Sequence, residues 1–145
     1  MKVKIKEKFE VAFFNPATRQ FEGGSWHARV TVDGKMKIAD IKKIQNVIDR
    51  FDHSTVVEKT FITEDEVSKI SKRYTVLEGC TNLADMLCGL AKVVVEEIKK
   101  IDETIAMRIE KIEFWRDNND IEFEFDRVDL DECEVKIIAH EVDNA

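Results

Sequence analysis

The stretch IADIKKIQNVIDRFDH, Ile38 to His53, decides how this chain is read. Ile41, Ile44, Val47, Ile48 and Phe51 recur at helical spacing and form one apolar stripe, with Lys42, Lys43, Asp49 and Arg50 on the other side. Asp40 stands near the start, where a carboxylate is favoured by the helix dipole. The helix therefore starts near Ile38 and closes on Phe51-Asp52-His53. An Asp that accepts from one imidazole nitrogen fixes the tautomer and raises the basicity of the other, so Asp52 and His53 are candidate catalytic residues, a general base and its orienting carboxylate. The bland alternative is that the two residues only cap the helix or turn the chain.

On the N-terminal side of this helix the period changes to two. Val3, Ile5, Phe9, Val11 and Phe13 are apolar while the intervening positions are mostly charged, the pattern of a half-buried strand broken only at Glu7. Asn15-Pro16-Ala17-Thr18 reads as a turn and Gly23-Gly24 as a second flexible point. Trp26, Ala28, Val30 and Val32 then face one way and His27, Arg29, Thr31 and Asp33 the other, a second strand that ends in the hairpin-type turn Asp33-Gly34.

On the C-terminal side, the segment from Ser54 to Leu77 reads as a connecting excursion holding a short helix that starts at Thr63-Glu64-Asp65-Glu66. A long helix follows from about Thr81 to Lys99-Lys100, with Leu83, Met86, Leu87, Leu90, Val94 and Ile98 on one face. Ile112 and Phe114, then Ile121, Phe123 and Phe125, alternate with charged residues on either side of Asn118-Asn119-Asp120, which predicts a second hairpin. The tail holds one more strand candidate, Val135 to Ala139, and an acidic end. The order strand, strand, helix, helix, strand, strand plus a tail is an α+β class: a four-stranded antiparallel sheet with two helices on one face. Residues 1–126 form the expected domain and 127–145 a C-terminal extension with a possible added strand.

Composition excludes several functions. A chain of 145 residues, 43% hydrophobic and 37% charged with both signs interspersed, suits one folded domain with a real core. A net charge of -7 argues against a nucleic-acid partner, and Lys2, Lys4, Lys6 and Lys8 alternate with apolar residues as the solvated side of a strand does. No apolar run approaches a membrane span and the first residues lack a signal-peptide core, so no membrane partner and a cytoplasmic location are expected. Cys80, Cys88 and Cys133 make an odd count without CxxC spacing, which argues against a disulfide framework or zinc knuckle; Cys88 reads as a small buried hydrophobe. Cys80 stands beside a helix start, where a thiol pKa falls, but nothing in the sequence pairs it with a base.

With these elements in place the chain resembles the 6-pyruvoyltetrahydropterin synthase and 6-carboxytetrahydropterin synthase family, from about Phe9 to Phe125. The stretch Ile38–His53 is similar to that family's signature ending in Leu-Asp-His, whose Asp and His belong to a proton relay. CTNLADML, Cys80 to Leu87, resembles the start of the family's second helix and makes Thr81 a ligand-binding candidate. KIEFWRDNNDIEFEF, Lys111 to Phe125, resembles the hairpin that carries a pterin-gripping Glu. The resemblance implies the tunnelling fold, a pterin- or purine-like small-molecule ligand, and a homo-oligomer in which sheet edges join subunits into a barrel with sites at the interfaces. Edge strands need such pairing, covering or charge in any case.

The departures bear on chemistry. The family binds zinc through a His near the end of the first strand and a His-Gly-His at the start of the second, with a catalytic Cys just upstream. Aligned on TRQFEGGSW, Thr18 to Trp26, this chain has Thr18 at the Cys position, Glu22-Gly23-Gly24 at His-Gly-His and Phe13 at the first-strand His. A catalytic zinc takes about three protein ligands, and Phe and Gly supply none, so no zinc cofactor and no metal ligands are expected. Arg116 falls where the gripping Glu would lie; a guanidinium offers only donors and suits a carboxylate, phosphate or carbonyl-rich ligand. Arg116 and Glu22 are thus ligand-binding candidates, each with a plain surface-charge alternative. His27, His53 and His140 show no ligand-pair spacing. The expected function is a divergent, zinc-free protein of this type that binds a pterin- or purine-like molecule. The alternatives are an active carbon-oxygen lyase acting on a dihydroneopterin triphosphate-like substrate and a structural or interaction α+β protein.

Overall fold

The computed structural model describes residues 1–15, 20–58, 75–80, 83–117 and 122–140. The N-terminal alternation builds two long strands, β1 (Lys2–Asn15) and β2 (Gln20–Asp33), paired antiparallel without interruption from Lys2↔Asp33 to Asn15↔Gln20. Gly23 and Gly24 lie inside β2, opposite Ala12 and Val11, so they are strand residues and not the flexible point the sequence suggested. The Pro16–Thr18 part of the expected turn lies outside the described residues. At the other end of β2, Gly34 takes a φ of +93°, a left-handed conformation open to glycine, and leads into a helix instead of a hairpin.

That helix, α1 (Ile38–Asp49), buries Ile44, Val47 and Ile48, the centre of its apolar stripe. It tightens into a 3-10 turn, Arg50–His53, where the Arg50 amide bonds back to Asn46 and Ile48. Phe51 anchors the turn: it is fully buried and meets Phe9 of β1 edge to face, ring centroids 5.5 Å apart. Truncating a buried Phe costs about 3–5 kcal/mol, so this contact fixes where the chain leaves the helix.

Directly after His53 the chain enters β3 (Ser54–Glu58), and β4 (Thr75–Glu78) follows. The sequence reading missed both strands, treating this region as an excursion; its short helix from Thr63 lies outside the described residues. β3 pairs parallel with β1 (Val11↔Ser54, Phe13↔Val56) and, through Val57 and Glu58, parallel with β4. The long helix α2 runs Leu83–Ile101, and Met86, Leu87, Leu90, Val94 and Ile98 of its predicted face are buried. A short helix, α3 (Glu103–Met107), follows; its N-cap Asp102 accepts from the amides of Thr104 and Ile105.

β5 (Ile109–Arg116) and β6 (Glu122–Asp126) form the second hairpin, with its Asn118–Asp120 turn outside the described residues. After a five-residue helix, α4 (Arg127–Asp131), β7 (Lys136–His140) pairs antiparallel with β4. The strand order is β6-β5-β2-β1-β3-β4-β7. Its first four strands are the expected antiparallel sheet; β3, β4 and β7 continue it to seven strands, with parallel pairing where the chain crosses back. The core lies on one face, where Ile5, Phe9, Ala28, Val30, Ile112 and Phe114 of the sheet and the apolar sides of α1 and α2 are buried together.

Candidate functional site

The register gathers the sequence-identified positions at one end of the sheet. Phe13 stands opposite Glu22 on β2 and opposite Val56 on β3, while Val11 stands opposite Gly24 and Ser54. Ser54 is the residue after His53 and pairs with Val11, so the Asp52-His53 turn enters the sheet two positions before Phe13, whose own β3 partner is Val56. Phe51 fixes that entry by burial, the parallel β1–β3 ladder by hydrogen bonding. The backbone of Asp52 and His53 belongs to the 3-10 turn and that of Glu22 to β2; Thr81 lies outside the described residues.

Arg116 joins from the other side. It ends β5 directly opposite Trp26, and its guanidinium carbon lies 5.2 Å from the centroid of the Trp26 ring. Trp26 is buried and in turn stands opposite Phe9, which Phe51 covers. Arg116, Trp26, Phe9 and Phe51 thus form a row along the helix side of the sheet that ends at Asp52-His53. A cation over an indole face is held there electrostatically.

As a zinc site these positions fall short. Of Phe13, Glu22, Gly23 and Gly24, only Glu22 carries a metal donor, and among the described residues no group of three or more His, Cys, Asp or Glu converges to hold a metal ion. Phe13, Gly23 and Gly24 offer a zinc ion no side-chain donor.

A second cluster occupies the opposite face of the same strands. His27 Nε2 is bonded to Asp117 Oδ1, and Lys8 Nζ lies 3.4 Å from Asp117 Oδ2. The imidazole stacks on Trp115 at 10° and 5.4 Å. Next to it, Arg29 bonds both oxygens of Glu113 at 2.9 and 2.7 Å while its guanidinium lies 5.1 Å from the Trp115 centroid, and Lys111 meets Glu124 at 2.7 Å. The hydrogen bond from His27, with Lys8 alongside, holds the Asp117 carboxyl below its usual range. The bond from Arg29 does the same for Glu113 against the opposing effect of burial, and Lys111 is pushed up by Glu124. A His–Asp pair therefore exists on this face, built from residues 90 apart. The alternation placed His27 on this polar face; only the β2–β5 register could have found its partner.

The sulfur chemistry departs from the sequence reading. Cys88 on α2 and Cys133 before β7 are joined in a disulfide, so Cys88 is not merely a small hydrophobe, whereas Cys80 is buried outside the bond. An odd count without CxxC spacing cannot reveal a pair formed by a helix docking on a later segment.

No helix among the described residues is long and apolar enough to cross a membrane. No protein-family model matches the chain, and no curated protein matches its sequence. Solved structures do match. An uncharacterized protein from Wolinella succinogenes superposes with a TM-score of 0.59 at 9% identity, covering 88% of this chain and 98% of that one. The 6-pyruvoyl tetrahydropterin synthase of Caenorhabditis elegans gives 0.50 at 12% identity, covering 87% and 94%. A catalytic-residue mutant of the Plasmodium vivax 6-pyruvoyltetrahydropterin synthase gives 0.52 at 11% identity, covering 95% and 98%. At such identities the likeness speaks for architecture, and on that ground the chain has the tunnelling fold of the 6-pyruvoyltetrahydropterin synthases.

Proposed function

We propose that this chain is a divergent 6-pyruvoyltetrahydropterin synthase-like protein that binds a pterin- or purine-like small molecule without zinc-assisted chemistry. The observation that carries the reading is the β1–β2 register, which sets Phe13 against Glu22 beside Gly23 and Gly24. These are the positions at which the fold's zinc enzymes place their ligands, and here they offer one carboxylate. Arg116, over Trp26, supplies a planar donor for a carbonyl- or phosphate-bearing ligand, with Glu22 and Thr81 as further contacts. A subunit assembly through sheet edges completes the proposal, in a cytoplasmic setting.

A second reading keeps the lyase chemistry, with His53 as general base oriented by Asp52. What favours it is that the 3-10 turn ends at the strand, β3, that pairs with the end of β1. Without a Lewis acid, such proton shifts forgo several kcal/mol of charge stabilisation, so binding is preferred over turnover.

The test is a pterin-fluorescence titration of purified protein alongside metal analysis. Quenching with saturable binding and sub-stoichiometric zinc is expected, and Arg116→Ala should weaken affinity about tenfold, the scale of one lost charge-assisted bond. His53→Ala should change affinity less than about twofold, since it serves chemistry and not binding. Stoichiometric zinc, or no quenching at all, overturns the proposal; release of triphosphate from a dihydroneopterin triphosphate-like substrate would establish the lyase instead.

A further inference from the structure

Three devices fasten the C-terminal segment to α2. Gly89 permits close approach: a Cβ there would stand 2.5 Å from Leu77 Cδ1 and 2.8 Å from Val135 Cγ1. One turn on, Lys92 Nζ donates to the carbonyls of Cys133 at 3.0 Å and Val135 at 2.9 Å. Beside them Cys88 is bonded to Cys133, with Cα atoms 6.7 Å apart and a separation of 45 positions in sequence. The segment so held leads into β7, which among the described strands ends the sheet and pairs with β4 over Thr75 to Glu78. β4 pairs with β3, and β3 starts at the residue after His53.

We propose that Cys88 and Cys133 form a redox clasp that sets the stability of the β3-β4-β7 extension. Both residues are only partly buried and so within reach of a small thiol or disulfide, unlike Cys80, which is 6% exposed. Closure proceeds by exchange with a low-molecular-weight disulfide. The thiolate of one cysteine attacks a sulfur of that disulfide and displaces one thiolate; the second cysteine, as thiolate, attacks the mixed disulfide and displaces the other. Two protein thiols and one small disulfide become one protein disulfide and two small thiols, and two electrons pass to the small molecule. Reduction is the reverse. With the bond open, Val135, the partly buried Ile137, Lys92 and a short ladder on an end strand remain, among the described residues, to hold β7, the situation in which local opening precedes global unfolding. The clasp stands on this geometry alone and does not depend on which ligand the chain binds.

The test is amide hydrogen exchange on the whole chain, equilibrated with excess oxidised or excess reduced glutathione, with alkylation and mass spectrometry to count the thiols. In the oxidised sample Cys88 and Cys133 are expected to be protected from alkylation as one bond. Reduction is expected to speed exchange at β7 and β4 by about tenfold or more while the middle of α2 is unchanged, as for a sub-global opening. Cys133→Ser should show the fast exchange under both conditions. Failure of the bond to form in excess oxidised glutathione, equal exchange in both states, or redox sensitivity that survives in Cys133→Ser each overturns the proposal.

Discussion

At the scale of single residues, the ion pairs between β2 and β5 are set by the register of the two strands. Asp52 and His53, neighbours in the chain, could be singled out from the sequence, whereas His27 and Asp117 meet because β2 and β5 lie side by side. The Arg29–Glu113 pair has the same origin and carries a definite energetic consequence. The Glu113 side chain is 7% exposed, and Arg29 is the first reason its carboxyl lies below the ordinary range. Arg29→Ala leaves a buried carboxylate short of its bidentate partner, which costs about 2 kcal/mol at neutral pH. The pH dependence has a fixed sign. A carboxyl whose folded pKa is depressed stabilises the fold above its unfolded value, about 4.3, and that contribution disappears as pH falls through the lower folded value. The gap between wild type and Arg29→Ala in urea unfolding is therefore expected to be wide at pH 7 and to narrow below about pH 4. A gap independent of pH would show that the lost alkyl packing, not the ion pair, sets the cost.

At the scale of elements, periodicity sufficed wherever a segment was long enough to repeat it. β1, α1 and α2 each show their period several times over, and the second hairpin alternates on both arms. The Ser54–Glu58 and Thr75–Glu78 strands are five and four residues long and flank a polar insertion, so they left too short a pattern to outweigh the helix-start signal between them. Their place in the sheet is set instead by tertiary pairing with β1 and β7. Gly89 tests how closely α2 must approach this extension. Replacing a mid-helix glycine by alanine normally stabilises by roughly 0.5–1 kcal/mol, but the new methyl would press on Val135, whose branched side chain is stiff, and on Leu77 in the core. Overpacking of this kind costs about 1–3 kcal/mol, so the penalty wins and Gly89→Ala is expected to lower stability by about 1 kcal/mol in urea melts. A stabilised variant would mean that β4 and the segment before β7 yield freely, and that α2 does not clamp them.

At the scale of the molecule, the open question for the fold is what its sheet ends do. β7 ends one side and β6 the other. β6 carries the outward-facing acids Glu122, Glu124 and Asp126, which discourage indiscriminate strand addition, while Phe123 and Phe125 are only half-buried and stack on one another on the other side of the strand. Backbone pairing along five residues, at about 1 kcal/mol net per bond, does little more than offset a cost of association of about 4–15 kcal/mol. Apolar burial has to supply the surplus, and Phe123 is the side chain placed to do so. The proposed assembly through sheet edges therefore leads to a two-part expectation. Light scattering of the wild type at micromolar concentration should give a whole multiple of the chain mass. Phe123→Glu should give the chain mass alone with far-ultraviolet circular dichroism of the same shape, because a charge on the half-exposed stack opposes association, at some cost in stability since Phe123 also packs beside Phe114. A monomeric wild type would confine the tunnelling fold here to a single subunit, and any ligand would then have to be held by Arg116, Trp26 and the Asp52-His53 turn without help from a neighbouring chain.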